Sequence, residues 1–304
     1  PGSTLKARDG STGYELWAHE TTNDSTWQVA DIRSGSNSGY ANDITVMGTR
    51  LYFEATDGST GFELWAHETT NDSTWQVADI RSGSDPGYAN DITVMGTRLY
   101  FEAHDGSTGY ELRAHETTND STWQVADIRS GSNSGYASDI TVMGTRLYFE
   151  ATDGSTGYEL WAHETTNDST WQVADIRSGI HSGNANHITV MGTRLYFEAD
   201  DAITGAELWA HETTNDSTWQ VADIRSGAYW GGAQWLAVID TRLYFRADDG
   251  ITGAELWAHE TTNDSTWQVA DIYSGLSGSY VYDITVMGTK LFFSASDFAN
   301  DYEL

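Results

Sequence analysis

The sequence contains no cysteine and only two prolines in 304 residues. Without cysteine, no disulfide can support the fold and no thiolate can act as nucleophile or metal ligand. The near-absence of proline leaves strand ladders uninterrupted. Basic residues are also scarce. Fifteen Lys and Arg stand against 45 Asp and Glu, giving a formal net charge of −30. A surface of that sign repels phosphate backbones and anionic lipid headgroups, which argues against nucleic acid and membrane partners. It suits high solubility, salty surroundings or cation binding. No apolar run approaches the ~18 residues of a membrane span, so no insertion is expected. No stretch holds a helical period. The chain opens "PGS" without Met, as expected of an excised piece bearing a tag scar, and shows no signal peptide.

What is present is repetition. "ELWAHETTNDSTWQVADI" stands at residues 15–32 and recurs unchanged at 63–80, 159–176, 207–224 and 255–272. The copy at 111–128 differs only in Arg113, where the others have Trp. The spacing is always 48, so six periods account for 288 residues, and the remaining 16 fall in register with the head of the chain.

One period predicts four strands: "DITVM" (91–95), "RLYFEA" (98–103), "ELRAHE" (111–116) and "TWQVADI" (122–128). Each is β-branched or aromatic and is bounded by Gly, Asn, Asp, Ser or Thr. Four short antiparallel strands every 48 residues are the pattern of a propeller blade. A lone four-stranded sheet cannot bury both faces, whereas stacked sheets cover one another. This accounts for apolar groups on both faces of the third strand, Leu64 and Ala66 on one and Trp65 on the other. The expected fold is all-β: a single-domain, six-bladed β-propeller of four-stranded antiparallel blades over residues 1–304. An open β-solenoid is the competing architecture. The closing blade is expected to be shared by the termini, with 283–287 and 290–295 as its two inner strands and residues 15–32 as its two outer ones. Residues 1–12 and about 298–304 are then loose or peripheral.

The unit resembles the ELWxxDGT repeat family of bacterial proteins. Glu63, Leu64 and Trp65 match its opening, Thr70 and Thr74 its two threonines, and Val77, Asp79, Ile80 and Gly83 its closing strand. "LYFEATDGSTGFELW" matches the segment before it. Glu68 stands where the family has Asp, and Thr69 and Ser73 where it has Gly. The resemblance runs through every repeat. It implies a propeller-type fold and an extracellular or cell-surface setting within a larger bacterial protein, without a settled activity. "TNDSTW" (70–75) also resembles a shortened Asp-box, a structural turn of sialidase propellers that implies no sialidase activity.

Candidate chemistry is sparse. Six His-Glu pairs recur at His19, His67, His115, His163, His211 and His259. One His per repeat is one ligand, and a zinc site needs three or four; no metal site is expected, and the His are read as structural. "DGSTG" at 57–61 offers a calcium loop only one Asp and a later Glu, against a plain turn with Asp capping and Gly at positive φ. Calcium is the one cofactor to consider; no other is expected. The periodic Trp are read as packing between blades, and Arg113 as a tolerated rim position. Near-identical repeats supply the same group six times, which does not separate an acid from a base. No enzyme is expected.

Differences between the copies concentrate in the crossover to the next repeat and in the turn between second and third strands. In an antiparallel sheet both connections lie at one end. Loops on a rigid scaffold are where recognition sits. The candidate ligand-binding residues are therefore Tyr40, Tyr88, Tyr136, Tyr229, Trp230, Trp235, Tyr280 and Tyr282. Their aromatic character suits sugar stacking or a protein partner. The expected function is a non-enzymatic, lectin-like binding module. The alternative is a structural or adhesive repeat scaffold without a specific small ligand.

Overall fold

Alternation of apolar and polar residues and frequent turn residues produce strands throughout the described chain. The computed structural model describes residues 11–297 and the strand backbone of Tyr302–Glu303. All of its regular elements are β-strands. The chain divides into two compact units, 1–140 and 141–304, and the division falls inside the strand Ser138–Met143.

Each complete repeat is a four-stranded antiparallel meander. The second contains Asn42–Met47, Arg50–Ala55, Glu63–Glu68 and Ser73–Ala78, hydrogen-bonded in that order. Five such sheets form among the described residues, covering 42–78, 90–124, 138–174, 186–222 and 234–270. Two smaller sheets complete the set. Leu16–Glu20 pairs with Ser25–Ala30, and Tyr282–Met287 pairs with Lys290–Ser296. The closing arrangement expected from sequence is not what is observed. The outer partner of Lys290–Ser296 is Tyr302–Glu303, in the register Ser296↔Tyr302 and Ala295↔Glu303. The chain's last residues repeat the "YEL" that opens the third strand elsewhere, so they take that strand's place. The expectation for residues 1–12 and 298–304 falls largely outside the described residues.

The first and second strands join through a two-residue turn, with Met47 paired to Arg50 and Gly48 at φ +63. The first strand begins with a bulge. Asn42 pairs with Glu54, and the next pair is Thr45 with Tyr52, leaving one extra residue. Asp43 sits in that bulge at φ +50, a left-handed conformation that Asp tolerates better than most residues.

The core lies between consecutive sheets, as the two-faced third strand required. Leu64 and Ala66 pack with Ala89, Ile92, Leu99 and Phe101 of the following sheet. Trp65 packs on the other side with Phe53, Ala55 and Leu16. Burying one such side chain stabilises by about 1.5–3 kcal/mol. Polar ties register the sheets against each other: the Thr45 hydroxyl donates to Ile92 O at 2.8 Å, and Thr93 to Ile140 O at 3.0 Å.

The histidines belong to this packing. His115, His211 and His259 are 1% exposed. Each has its Nδ1 within 2.9 Å of a threonine hydroxyl on the fourth strand. Each also lies against the Tyr ring of the preceding sheet, as in Tyr52–His115 at 6.4 Å and Tyr196–His259 at 5.8 Å. Arg113 departs from expectation. It is buried, not at a rim, because its guanidinium reaches Asp105 Oδ2 at 2.7 Å and so carries its charge into the neighbouring turn.

Candidate functional site

The two variable connections are bound to each other. Phe62 O, at the end of the turn, accepts from the crossover N–H groups of Gly87 and Tyr88, both at 2.9 Å. The same bonds recur in the fifth crossover, where Gly231 and Gly232 donate to Ala206 O at 2.9 and 2.8 Å. Both loops therefore sit at one end of each sheet.

The crossover is also pinned from below by the Glu that opens "ELW". Glu63 is fully buried, and its carboxylate accepts from Ile80 N at 2.7 Å and Gly87 N at 2.9 Å. Glu207 does the same for Ile224 and Arg225. A Cβ at position 87 would come within 2.6 Å of Glu63 Oε2, which Gly avoids; in the last crossover Ser279 takes this place, and its N–H and hydroxyl both donate to Glu255. Burial pushes the Glu63 and Glu207 carboxyls up to about 7, and the backbone N–H groups pull in the opposite direction. These glutamates were not among the sequence candidates. Their signal was an invariant acidic residue inside an otherwise apolar strand.

The turn itself is closed by Asp57, whose carboxylate accepts from the Ser59 and Thr60 N–H groups at 2.7 and 3.1 Å. Gly58 and Gly61 take φ +85 and +80. Among the described residues, no group of three or more His, Asp or Glu is arranged to hold a metal ion.

On this frame the candidate aromatics fall into three sets. In the 1–140 unit, Tyr40, Tyr88 and Tyr136 alternate with turn residues in a ladder: Tyr14, Tyr40, Phe62, Tyr88, Tyr110, Tyr136. Successive rings are 5.8, 6.0, 5.7, 6.2 and 5.6 Å apart. In the 141–304 unit, Tyr229 and Trp230 project from the fifth crossover, 65% and 68% exposed. Arg225 lies 5.3 Å from the Tyr229 ring and supports it.

The third set gathers where the first strands begin. Trp235 lies 5.9 Å from the His187 ring and edge-on to Tyr282 at 6.3 Å. The Arg246 guanidinium stands 4.8 Å from the Tyr282 ring and 5.5 Å from Tyr280. Buried Glu198 faces Arg246 and is hydrogen-bonded by the Gln234 side chain. The sequence candidates included Trp235, Tyr280 and Tyr282 but omitted His187 and Arg246. Both were visible as departures: His187 stands in the column of Asp43, and Arg246 in that of Glu54, Glu102, Glu150 and Glu198.

The same unit exposes aliphatic groups. Ile180, Ile203, Ile251 and Leu276 are 72–77% exposed, in loop columns where the earlier copies carry Ser36, Ser59, Ser84 and Ser107.

The architecture is β-propeller-like, built from repeated antiparallel sheets. No protein-family model matches the chain, and no curated protein matches it. Among solved structures, it is similar to the computationally designed Ika8 protein, at 11% identity and a TM-score of 0.55, covering 90% of this chain and 74% of that one. It is also similar to BamB from Moraxella catarrhalis, at 13% identity and a TM-score of 0.51, with 96% and 78% covered. A puromycin hydrolase matches at 12% identity and a TM-score of 0.56, covering 89% of this chain. The chain spans only 44% of that hydrolase. At these identities the likeness concerns fold alone.

Proposed function

We propose that this chain is a non-enzymatic carbohydrate-binding module that uses the face formed by its crossover loops and second-to-third-strand turns. The observation that carries it is a coincidence of place. Sequence divergence between near-identical copies and exposed aromatic side chains fall on one pair of loops, hydrogen-bonded together and pinned by a buried carboxylate. Flat aromatic groups on a stiff frame suit the apolar face of a sugar, and they lose little conformational entropy on binding. In full, the reading is a six-bladed propeller of the ELWxxDGT type, working outside the cell or on its surface.

A glycan array tests this with the wild type and a Trp230→Ala/Trp235→Ala variant. Selective retention of some glycans, lost in the variant, is expected. An empty array, or a pattern that the variant keeps, ends the reading.

The four exposed aliphatic residues favour a second reading, an adhesive scaffold that makes apolar contacts with a protein surface. Replacing Ile180, Ile203, Ile251 and Leu276 with Ser separates the two. Adhesion falls with these changes only under the second reading, and sugar retention survives them under the first.

A further inference from the structure

The 141–304 unit keeps Tyr158 and Tyr280 in the ladder columns but lacks the rings between them. Where the ladder has Tyr40, Tyr88 and Tyr136, the fourth and fifth crossovers carry Asn184 and Gly232. Where it has Phe62 and Tyr110, the turns carry Ala206 and Ala254. A Cβ at Gly232 would have nothing within 4 Å, so the place is open. In the same unit Trp235, Tyr280, Tyr282 and Arg246 form one cluster.

Two features mark this as more than drift. Trp235 is held at φ +57, a left-handed conformation costly for a bulky side chain. Four other copies place Asp there, which tolerates it. Strain of this kind persists where the surrounding structure over-determines it, and it clusters at functional sites. Arg246, in turn, is a cation introduced into a carboxylate column of a chain with a net charge of −30. Tyr280 and Tyr282 hold its plane through their ring faces. It faces the buried Glu198, and no hydrogen bond among the described residues is made by its guanidinium, so its N–H donors can be shared with a second carboxylate.

We propose that this mouth binds a sugar bearing a single carboxylate, of the hexuronic acid class, with the ring on Trp235 and the carboxylate on Arg246. The assignment rests on the carbohydrate reading above and names its ligand. A guanidinium pairs with a carboxylate through two parallel N–H···O bonds, and an aromatic ring accepts the C–H face of a pyranose. The acidic surface opposes polyanions such as nucleic acids, whereas one carboxylate meets little long-range repulsion once salt screens beyond about 8 Å.

The experiment compares galacturonate with its methyl ester by titration calorimetry at about 150 mM salt, where that screening applies. The ester keeps the sugar ring and loses the charge. Wild type is expected to bind the acid at least tenfold tighter than the ester. Arg246→Gln should erase this preference, weakening acid binding far more than ester binding. Arg246→Lys, which keeps the charge without the fork, should retain part of it. Trp235→Asp should weaken both ligands at least tenfold with no loss in melting midpoint. Equal binding of acid and ester by the wild type overturns the assignment without needing any variant, as does a preference that survives Arg246→Gln. If neither ligand binds while neutral glycans are retained on the array, the acidic-sugar assignment falls and the carbohydrate reading stands. If the array is empty as well, both fall.

Discussion

At the scale of single residues, Trp235 shows how a repeat reveals a cost that one copy alone would hide. Its column holds Asp43, Asp91, Asp139 and Asp283, all at φ between 50 and 54. The backbone of the bulge is thus set by the fold, and the side chain must accommodate it. A left-handed conformation costs an ordinary residue about 1–2 kcal/mol and Asp less. Trp235→Asp is therefore expected to raise unfolding stability by about 1 kcal/mol, read as a higher urea midpoint with an unchanged slope. A lower midpoint would mean that the indole packs into the core, the alternative its position beside Leu236 suggests. Aromatic identity and the place at a strand start were legible in the sequence here; the positive φ was not, although a column of Asp hinted at it. Arg113 shows the converse. One departure from Trp looked like tolerance, because sequence does not reveal that a guanidinium can leave a buried strand and pair with Asp105 in the preceding turn.

At the scale of elements, the buried glutamates beneath the first five crossovers make stability depend on pH. Burial pushes Glu63, Glu111, Glu159 and Glu207 up to about 7, and burial followed by the Asp91 charge pushes Glu102 up to about 8. Such carboxyls hold protons in the folded chain that the unfolded chain has released. Their contribution is complete below pH 4.5 and is lost as pH rises through 7. His115, His211 and His259 act in the opposite sense, since burial lowers them; their contribution is complete above pH 6.5 and fades as pH falls below it. Glu68, Glu116 and Glu260 are held at about 2, first by threonine hydroxyls, and their contribution disappears as pH drops from 4.5 towards 2. The raised carboxyls outnumber the histidines. The melting midpoint is expected to peak near pH 5 and to fall towards both pH 8 and pH 3. Glu207→Gln should flatten the alkaline limb. A midpoint that stays level or rises between pH 5 and pH 8 would show that these carboxylates are ionised in the folded protein at no cost.

At the scale of the molecule, a surplus of 30 negative charges has a measurable consequence. Self-repulsion opposes the compact state, and salt screens it. The pairs that salt weakens, such as Arg50–Glu68, are partly exposed and worth about 1 kcal/mol or less each. Raising NaCl from ~20 mM to ~500 mM, which shortens the screening length several-fold, is expected to raise the melting midpoint at pH 8. A fall would give the ion pairs the larger weight. The strand order and the division into sheets were legible at this scale because a 48-residue period repeats every turn signal several times over. The chain end was not. Residues 15–32 were expected to supply the outer strands beside Lys290–Ser296, whereas the observed partner is Tyr302–Glu303, because the short "YEL" at the chain end carries the third-strand motif without a full strand's pattern.

Internal repetition would ordinarily give a protein as many equivalent ligand sites as it has copies. The removal of ring side chains at Asn184, Ala206, Gly232 and Ala254, together with the gain of Trp235 and Arg246, occurs in only one part of this chain. Under the proposed carbohydrate reading, the expected stoichiometry is therefore one ligand per chain. Avidity for a polymer would then have to come from several chains acting together, not from the number of repeats within one.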